Sequence, residues 1–154
     1  AYCQDNEIGW IDWSNLGNDA DDMTDFVGRL AAIRKQFPQI RARQWIVGKK
    51  ADGSYGVLWL TPDGNEMTEA DWNFPEGRFL SYVLGPMEHG QQALYVVLNA
   101  APEPIEFKLP NMKEYKTWSA ILNTAEDDAN GHTHQAGATM QALPRSVIAF
   151  AGRP

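Results

Sequence analysis

The sequence predicts a mainly β protein: an antiparallel β-sandwich of about seven strands, preceded by a loop and one α-helix. Two observations carry this. Beyond residue 40, short apolar runs alternate with turn signals, and no helical periodicity lies between them. Before residue 40, one segment repeats its apolar residues at three- and four-residue steps. With 154 residues, 44% of them hydrophobic, the chain can bury the core of one domain and carry a short appendage.

The opening stretch, "AYCQDNEIGWIDWSN" (1–15), is too polar for a buried strand and has no helical period. It reads as a loop belonging to something larger. It also holds much of the charge imbalance. Residues 1–28 carry seven acids and no Lys or Arg, whereas residues 29–154 carry 13 acids and 13 bases, so the net charge of −7 sits at the front. No basic patch is available to follow a phosphate backbone, which argues against nucleic acid as a partner.

The helix follows. Met23, Phe26, Val27, Leu30, Ala31, Ile33 and Phe37 share one face. Asn18 or Asp19 is expected to cap it, Asp21, Asp22 and Asp25 suit the positive end of its dipole, and Arg34 and Lys35 suit the other. Pro38 disfavours helical geometry at Phe37 and should end it. Three acids in a first turn complement the dipole and carry no catalytic weight.

Strands are expected at 54–61, 78–85, 93–100, 104–110, 115–123 and 145–152, with a weaker one at 138–143. Ile105, Phe107 and Leu109 alternate with Glu106 and Lys108, the pattern of a strand with one wet face. "ALYVVLNA" is apolar on both faces and reads as a central strand. Val96, Leu98, Phe107 and Phe150 are expected in the core, as are Trp59 and Trp118, whereas Trp45 and Trp72 lie at segment edges. "TEADW" (68–72) has the form of a capped single turn, Thr68 to Asp71.

Few residues suggest chemistry by themselves. In "EDDANGHTHQAG" (126–137), Asp128, Asn130 and Gly131 fit positions of a calcium loop. Glu126 stands where Asp is needed, however, and Gly137 stands where the bidentate Glu should be. No metal site is assigned there, and a solvated loop is the expectation. Cys3 has no nucleophile signature around it, and a single cysteine excludes an internal disulfide framework. No apolar run approaches the length of a membrane span. No catalytic residue, metal or cofactor is read from the residues, and a cytoplasmic location is expected.

The opening motif nevertheless resembles a signature of bacterial glycogen debranching enzymes of the isoamylase type, in the α-amylase superfamily. The helix "DDMTDFVGRLAAIRKQFP" (21–38) is similar to the last helix of their (β/α)₈ barrel. "TEADW", "LYVVLNA" (94–100) and "LPRSVIAF" (143–150) are similar, in the right order, to their C-terminal β-sandwich. The resemblance implies two parts: a barrel remnant over 1–40 and the sandwich over 41–154. It implies that Tyr2, Gln4, Asp5 and Asn6 lie where barrel loops meet sugar hydroxyls. The matched enzymes hydrolyse α-1,6 branch linkages of glycogen or limit dextrin with carboxylates on earlier barrel strands. None of those carboxylates matches a position here. The implied partners are therefore the catalytic barrel of the same polypeptide and, through it, glycogen or limit dextrin. A free-standing carbohydrate-binding sandwich is the alternative. With Trp59 and Trp118 pointing inward, the sandwich is expected to bind glycogen weakly or not at all.

Overall fold

The computed structural model describes residues 2–14, 17–88, 91–126 and 131–153. The backbone separates into two compact units, residues 1–36 and 37–154.

The first unit holds the opening loop and helix α1, Asn18–Gln36. The helix begins at Asn18, so the cap position falls to Gly17, whose carbonyl accepts from Ala20 N at 2.9 Å. Neither Asn18 nor Asp19 is the cap. None of the residues of α1 is buried. Phe37 lies beyond the helix end and is fully buried in the second unit, where Pro38 opens a 3-10 turn, Pro38–Arg41.

Among the described residues, the second unit is built on eight strands: β1 Val57–Leu60, β2 Phe79–Leu84, β3 Ala93–Asn99, β4 Ile105–Lys108, β5 Thr117–Asn123, β6 Thr133–Gln135, β7 Thr139–Ala142 and β8 Ser146–Arg153. Six form an antiparallel sheet in the order β1-β2-β3-β8-β5-β6, and β4 pairs with β7 in a second, two-stranded sheet. Helix α2, Glu69–Trp72, fills the connection from β1 to β2. Its capping box is complete. Thr68 Oγ1 accepts from Asp71 N at 3.4 Å, and Asp71 Oδ2 accepts from Thr68 N at 2.8 Å. Thr68 Oγ1 also donates to Asp71 Oδ2 at 2.7 Å, and that bond, with the one from the Thr68 backbone, holds the Asp71 carboxyl below its ordinary pKa.

The core lies between the two sheets. Leu58, Leu60, Val83, Tyr95, Val97, Ile148 and Phe150 come from the large sheet and meet Phe107, Leu109 and Ala142 from the small one. Alternation on β4 holds, with Phe107 and Leu109 buried and Glu106 and Lys108 exposed. β3 is central, between β2 and β8. Its core-facing residues, however, are Tyr95 and Val97. Val96 and Leu98 pair with Tyr82, Ala149, Leu80 and Val147 on the opposite face. Trp118 is fully buried, as expected, and donates Nε1–H to the Pro110 carbonyl at 2.9 Å. Its ring lies over Gly152, its cross-strand partner; a Cβ there would sit 2.8 Å from the Trp118 ring. A register shift between Ala120 and Leu122 turns Leu122 to the face opposite Ala120. β6 replaces part of the expected solvated loop: Thr133–Gln135 pairs with β5, and the Ser119 and Thr133 hydroxyls bond at 2.8 Å.

Asn99 ties the end of β3 to the small sheet. Its Nδ2 donates to the carbonyls of Glu103, Ala142 and Leu143, each at 3.0 Å, and its Oδ1 accepts from Ala101 N at 2.9 Å. The Tyr95 hydroxyl is the opposite case. It is buried and makes no hydrogen bond, while the neighbouring Ser81 hydroxyl donates to the Leu60 carbonyl at 3.0 Å. Burial pushes the Tyr95 phenol well above its ordinary range, and Ser81 offsets this only in part.

Two outcomes follow for stability. Phe107→Ala removes a ring packed against Phe79, Tyr95 and Phe150 and is expected to cost ~3–5 kcal/mol in denaturant unfolding; a loss within ~0.5 kcal/mol would contradict the packing. Unfolding free energy should also fall as pH rises above 10, the ordinary tyrosine value. There the unfolded chain releases the phenolic proton while the folded chain keeps it, at up to ~1.4 kcal/mol per pH unit. Tyr95→Phe should flatten that decline in melts across alkaline pH and cost little at neutral pH, since no hydrogen bond is lost.

Candidate functional site

Among the described residues, three places combine aromatic and hydrogen-bonding side chains. The first is the opening loop. Asn6 organises it: its Oδ1 accepts from Ile8 N at 3.0 Å, its carbonyl accepts from Gly9 N and Trp10 N, and its Nδ2 donates to Gln4 Oε1 at 3.1 Å. Asp5 Oδ1 accepts the Trp10 indole N–H at 2.9 Å. Cys3 holds a left-handed backbone, φ 58°, and is exposed. Of the four residues implied by resemblance, Gln4, Asp5 and Asn6 thus share one local hydrogen-bonded turn, and Tyr2 stands exposed beside it. Every one of these bonds is local in sequence. Trp10 and Trp13 are mostly exposed.

The second place lies in the sandwich, on the face of β1 and β2 that points away from the core. Trp59 is here, which corrects its expected inward placement. β1 buries Leu58 and Leu60, so the residue between them must face the other way. Trp59 pairs with Tyr82 across the strands, ring centroids 5.1 Å apart, and meets the edge of Trp72 from α2 at 5.4 Å. Half-burial raises the pKa of the Tyr82 phenol, so the group stays neutral well past neutral pH. Beside these rings is a pocket of about 370 Å³, lined by Gln39, Gln44, Trp45, Trp59, Tyr82 and Leu84 among others. Gln39 is 4% exposed. Its Nε2 donates to the Gln92 carbonyl at 3.0 Å, while its Oε1 is buried and unpartnered. Trp45, 98% exposed, stands at the rim.

A larger cleft, about 900 Å³, opens at the end of the sandwich between Tyr55, Met87, Met112 and Tyr115, with Lys50 and Glu114 also on its wall. Lys50 Nζ donates to the Pro86 carbonyl at 3.3 Å. Among the described residues no group of three or more His, Cys, Asp or Glu side chains is placed to hold a metal ion. Asp127, Asp128 and Asn130 of the calcium-like run lie outside the described residues. His134 packs edge-on to Phe150, at 6.5 Å. No helix among the described residues is long and apolar enough to cross a membrane.

The family model for the isoamylase C-terminal domain matches residues 56–144, from the start of β1 to the turn before β8. That is more than half of the 154 residues. The chain belongs to this family. A glycogen operon protein GlgX homolog of Mycobacterium tuberculosis is 29% identical over 137 residues, 80% of this chain and 19% of the relative. A glycogen debranching enzyme of Escherichia fergusonii is 29% identical over 136 residues, 83% of this chain and 17% of the relative. An isoamylase of a Flavobacterium species is 28% identical over 156 residues, 99% of this chain and 19% of the relative. The chain spans about a fifth of the length of the curated relatives it matches. The match takes in β1 to β7. The likeness to the isoamylase extends beyond it, since its 99% coverage takes in the loop and α1.

Sequence reasoning missed Gln39 and misplaced Trp59. The signal for Trp59 was present: Leu58 and Leu60 flank it, and only one of the two phases buries two leucines. Gln39 gave none, because a buried glutamine looks like any other polar residue after a helix.

The exposed, locally bonded loop has a measurable consequence. Amides of residues 2–14 should exchange with solvent far faster than those of Tyr95–Val97 in β3. Equal protection in a hydrogen-exchange time course would contradict the exposed placement of the loop.

Proposed function

We propose that this chain is the non-catalytic C-terminal part of a glycogen debranching enzyme of the isoamylase type, acting in the cytoplasm. The polypeptide it serves hydrolyses α-1,6 branch linkages of glycogen or limit dextrin. The observation that carries the reading is the family match across β1 to β7, together with relatives whose names concern glycogen debranching. The sandwich acts as a structural domain beside the catalytic barrel. In the opening loop, Tyr2, Gln4, Asp5 and Asn6 present hydroxyl, amide and carboxylate groups, which suit sugar hydroxyls at the barrel mouth.

Retaining glycoside hydrolysis needs a carboxylate nucleophile and a separate acid/base, ~5–5.5 Å apart. Asp5 instead accepts the Trp10 indole N–H, an orienting contact within the loop, and it is not assigned either role. Residues 1–154 alone should therefore release no reducing ends from a branched limit dextrin. The polypeptide translated from the complete gene should release them. Turnover by residues 1–154 that disappears in Asp5→Asn or Glu7→Gln, or no debranching by the complete gene product, would overturn the proposal.

A further inference from the structure

The pocket beside Trp59 is lined by side chains of one kind of chemistry. Those lining it are aromatic, aliphatic or amide, and none is charged. Such a wall offers nothing to a phosphate, a carboxylate or a cation. It suits a neutral ligand with apolar ring faces and hydroxyl edges. Gln39, one of the lining residues, carries an acceptor that lacks a donor. Gln39 Oε1 is buried and unpartnered, and Gln39 cannot turn its amide to relieve this without giving up the Nε2 bond to the Gln92 carbonyl. A ligand hydroxyl would satisfy it. At about 370 Å³ the pocket lies near the lower end of small-ligand sites, ~300–1,000 Å³, a size for a sugar ring or two and not for a folded peptide. Trp59 and Tyr82 stand at 56° to each other in the wall, and Trp45 projects into solvent at the rim.

We infer that this pocket, formed by Gln39, Trp45, Trp59 and Tyr82, is a glucan-binding site of the sandwich itself, holding glucosyl units of an α-glucan apart from any catalytic centre. The inference rests on the debranching reading for its choice of sugar, and its own evidence is the neutral aromatic wall and the orphaned Gln39 acceptor. It reverses the expectation of weak or absent glycogen binding, which depended on Trp59 pointing inward. Substrate held here would raise the local concentration of chain ends near the rest of the polypeptide.

The test uses residues 1–154 and maltoheptaose, titrated by calorimetry and by tryptophan fluorescence, with cellopentaose as the β-linked control. Saturable maltoheptaose binding is expected, with cellopentaose weaker. Trp45→Ala should weaken binding about tenfold or more with no change in melting temperature, because that ring is exposed. Gln39→Leu should weaken it similarly by removing the acceptor. Trp10→Ala, in the opening loop, should leave it unchanged. No saturable binding of maltoheptaose by the folded chain would overturn the inference, as would binding insensitive to both Trp45→Ala and Gln39→Leu or lost in Trp10→Ala. Equal binding of cellopentaose would overturn the α-glucan assignment. The debranching reading stands or falls separately, on the activity of the complete gene product.

Discussion

The sandwich is organised by a strand that is apolar on both sides. β3 buries Tyr95 and Val97 on one face and Leu94 and Val96 on the other. A strand of that kind cannot lie at an edge or leave a face in water; at ~25 cal/mol per Å² of apolar surface, both faces must be covered. One face is covered by the two-stranded sheet of β4 and β7, whose Phe107 inserts among Tyr95, Phe150 and Phe79. On the other face, the segment following Phe37 lies across β1 and β2, where Gln39, Ile40 and Ile46 line one pocket with Val57, Trp59, Tyr82 and Leu84. The pocket exists because this cover is a loop and not a second sheet. A loop of amide and aromatic residues leaves gaps that interdigitating strands would close.

This arrangement decides what could be read from sequence. β4 was legible in register because Glu106 and Lys108 mark its wet face, so Phe107 and Leu109 had one possible direction. β3 was legible as central for the opposite reason, having no charged or amide residue before Asn99 to mark a face. The same lack hid its phase, which is why Val96 and Leu98 were expected where Tyr95 and Val97 stand. Ser81 on β2 misleads further: a hydroxyl reads as outward, yet it is buried and donates to the Leu60 carbonyl. In β5 the shift after Ala120 moves Leu122 across the sheet, and no residue type signals a bulge there. β6 is three residues long, too short for alternation to appear. Local chemistry was the most readable level. The Thr68–Asp71 box forms as written, because its bonds depend on spacing alone.

The opening loop was legible by resemblance, and its geometry by residue type. Asn and Asp two to five residues ahead of free N–H groups close turns on themselves, and Asn6 and Asp5 do so. What no pattern supplied is which of these groups remain available to a ligand. Gln4 and Asn6 partly satisfy each other, so a sugar meeting this loop would compete with bonds already made, at a lower net gain per contact.

The orphaned buried acceptors and donors follow the opposite logic, and their surroundings separate them. Tyr95 O–H lies in the closed core, where no ligand can reach, and its neutrality is enforced by burial. Such a group is a standing cost that the surrounding ring contacts outweigh. Gln39, which lines an open pocket, carries the same kind of deficit at its buried Oε1. In the binding proposed above the deficit is recoverable, since a ligand hydroxyl gives up bonds to water and gains an acceptor that bulk water does not serve. The two groups differ by position within one fold. Around Tyr95 the two sheets close completely, whereas the face covered by a loop keeps an opening beside a residue with an unmet hydrogen bond.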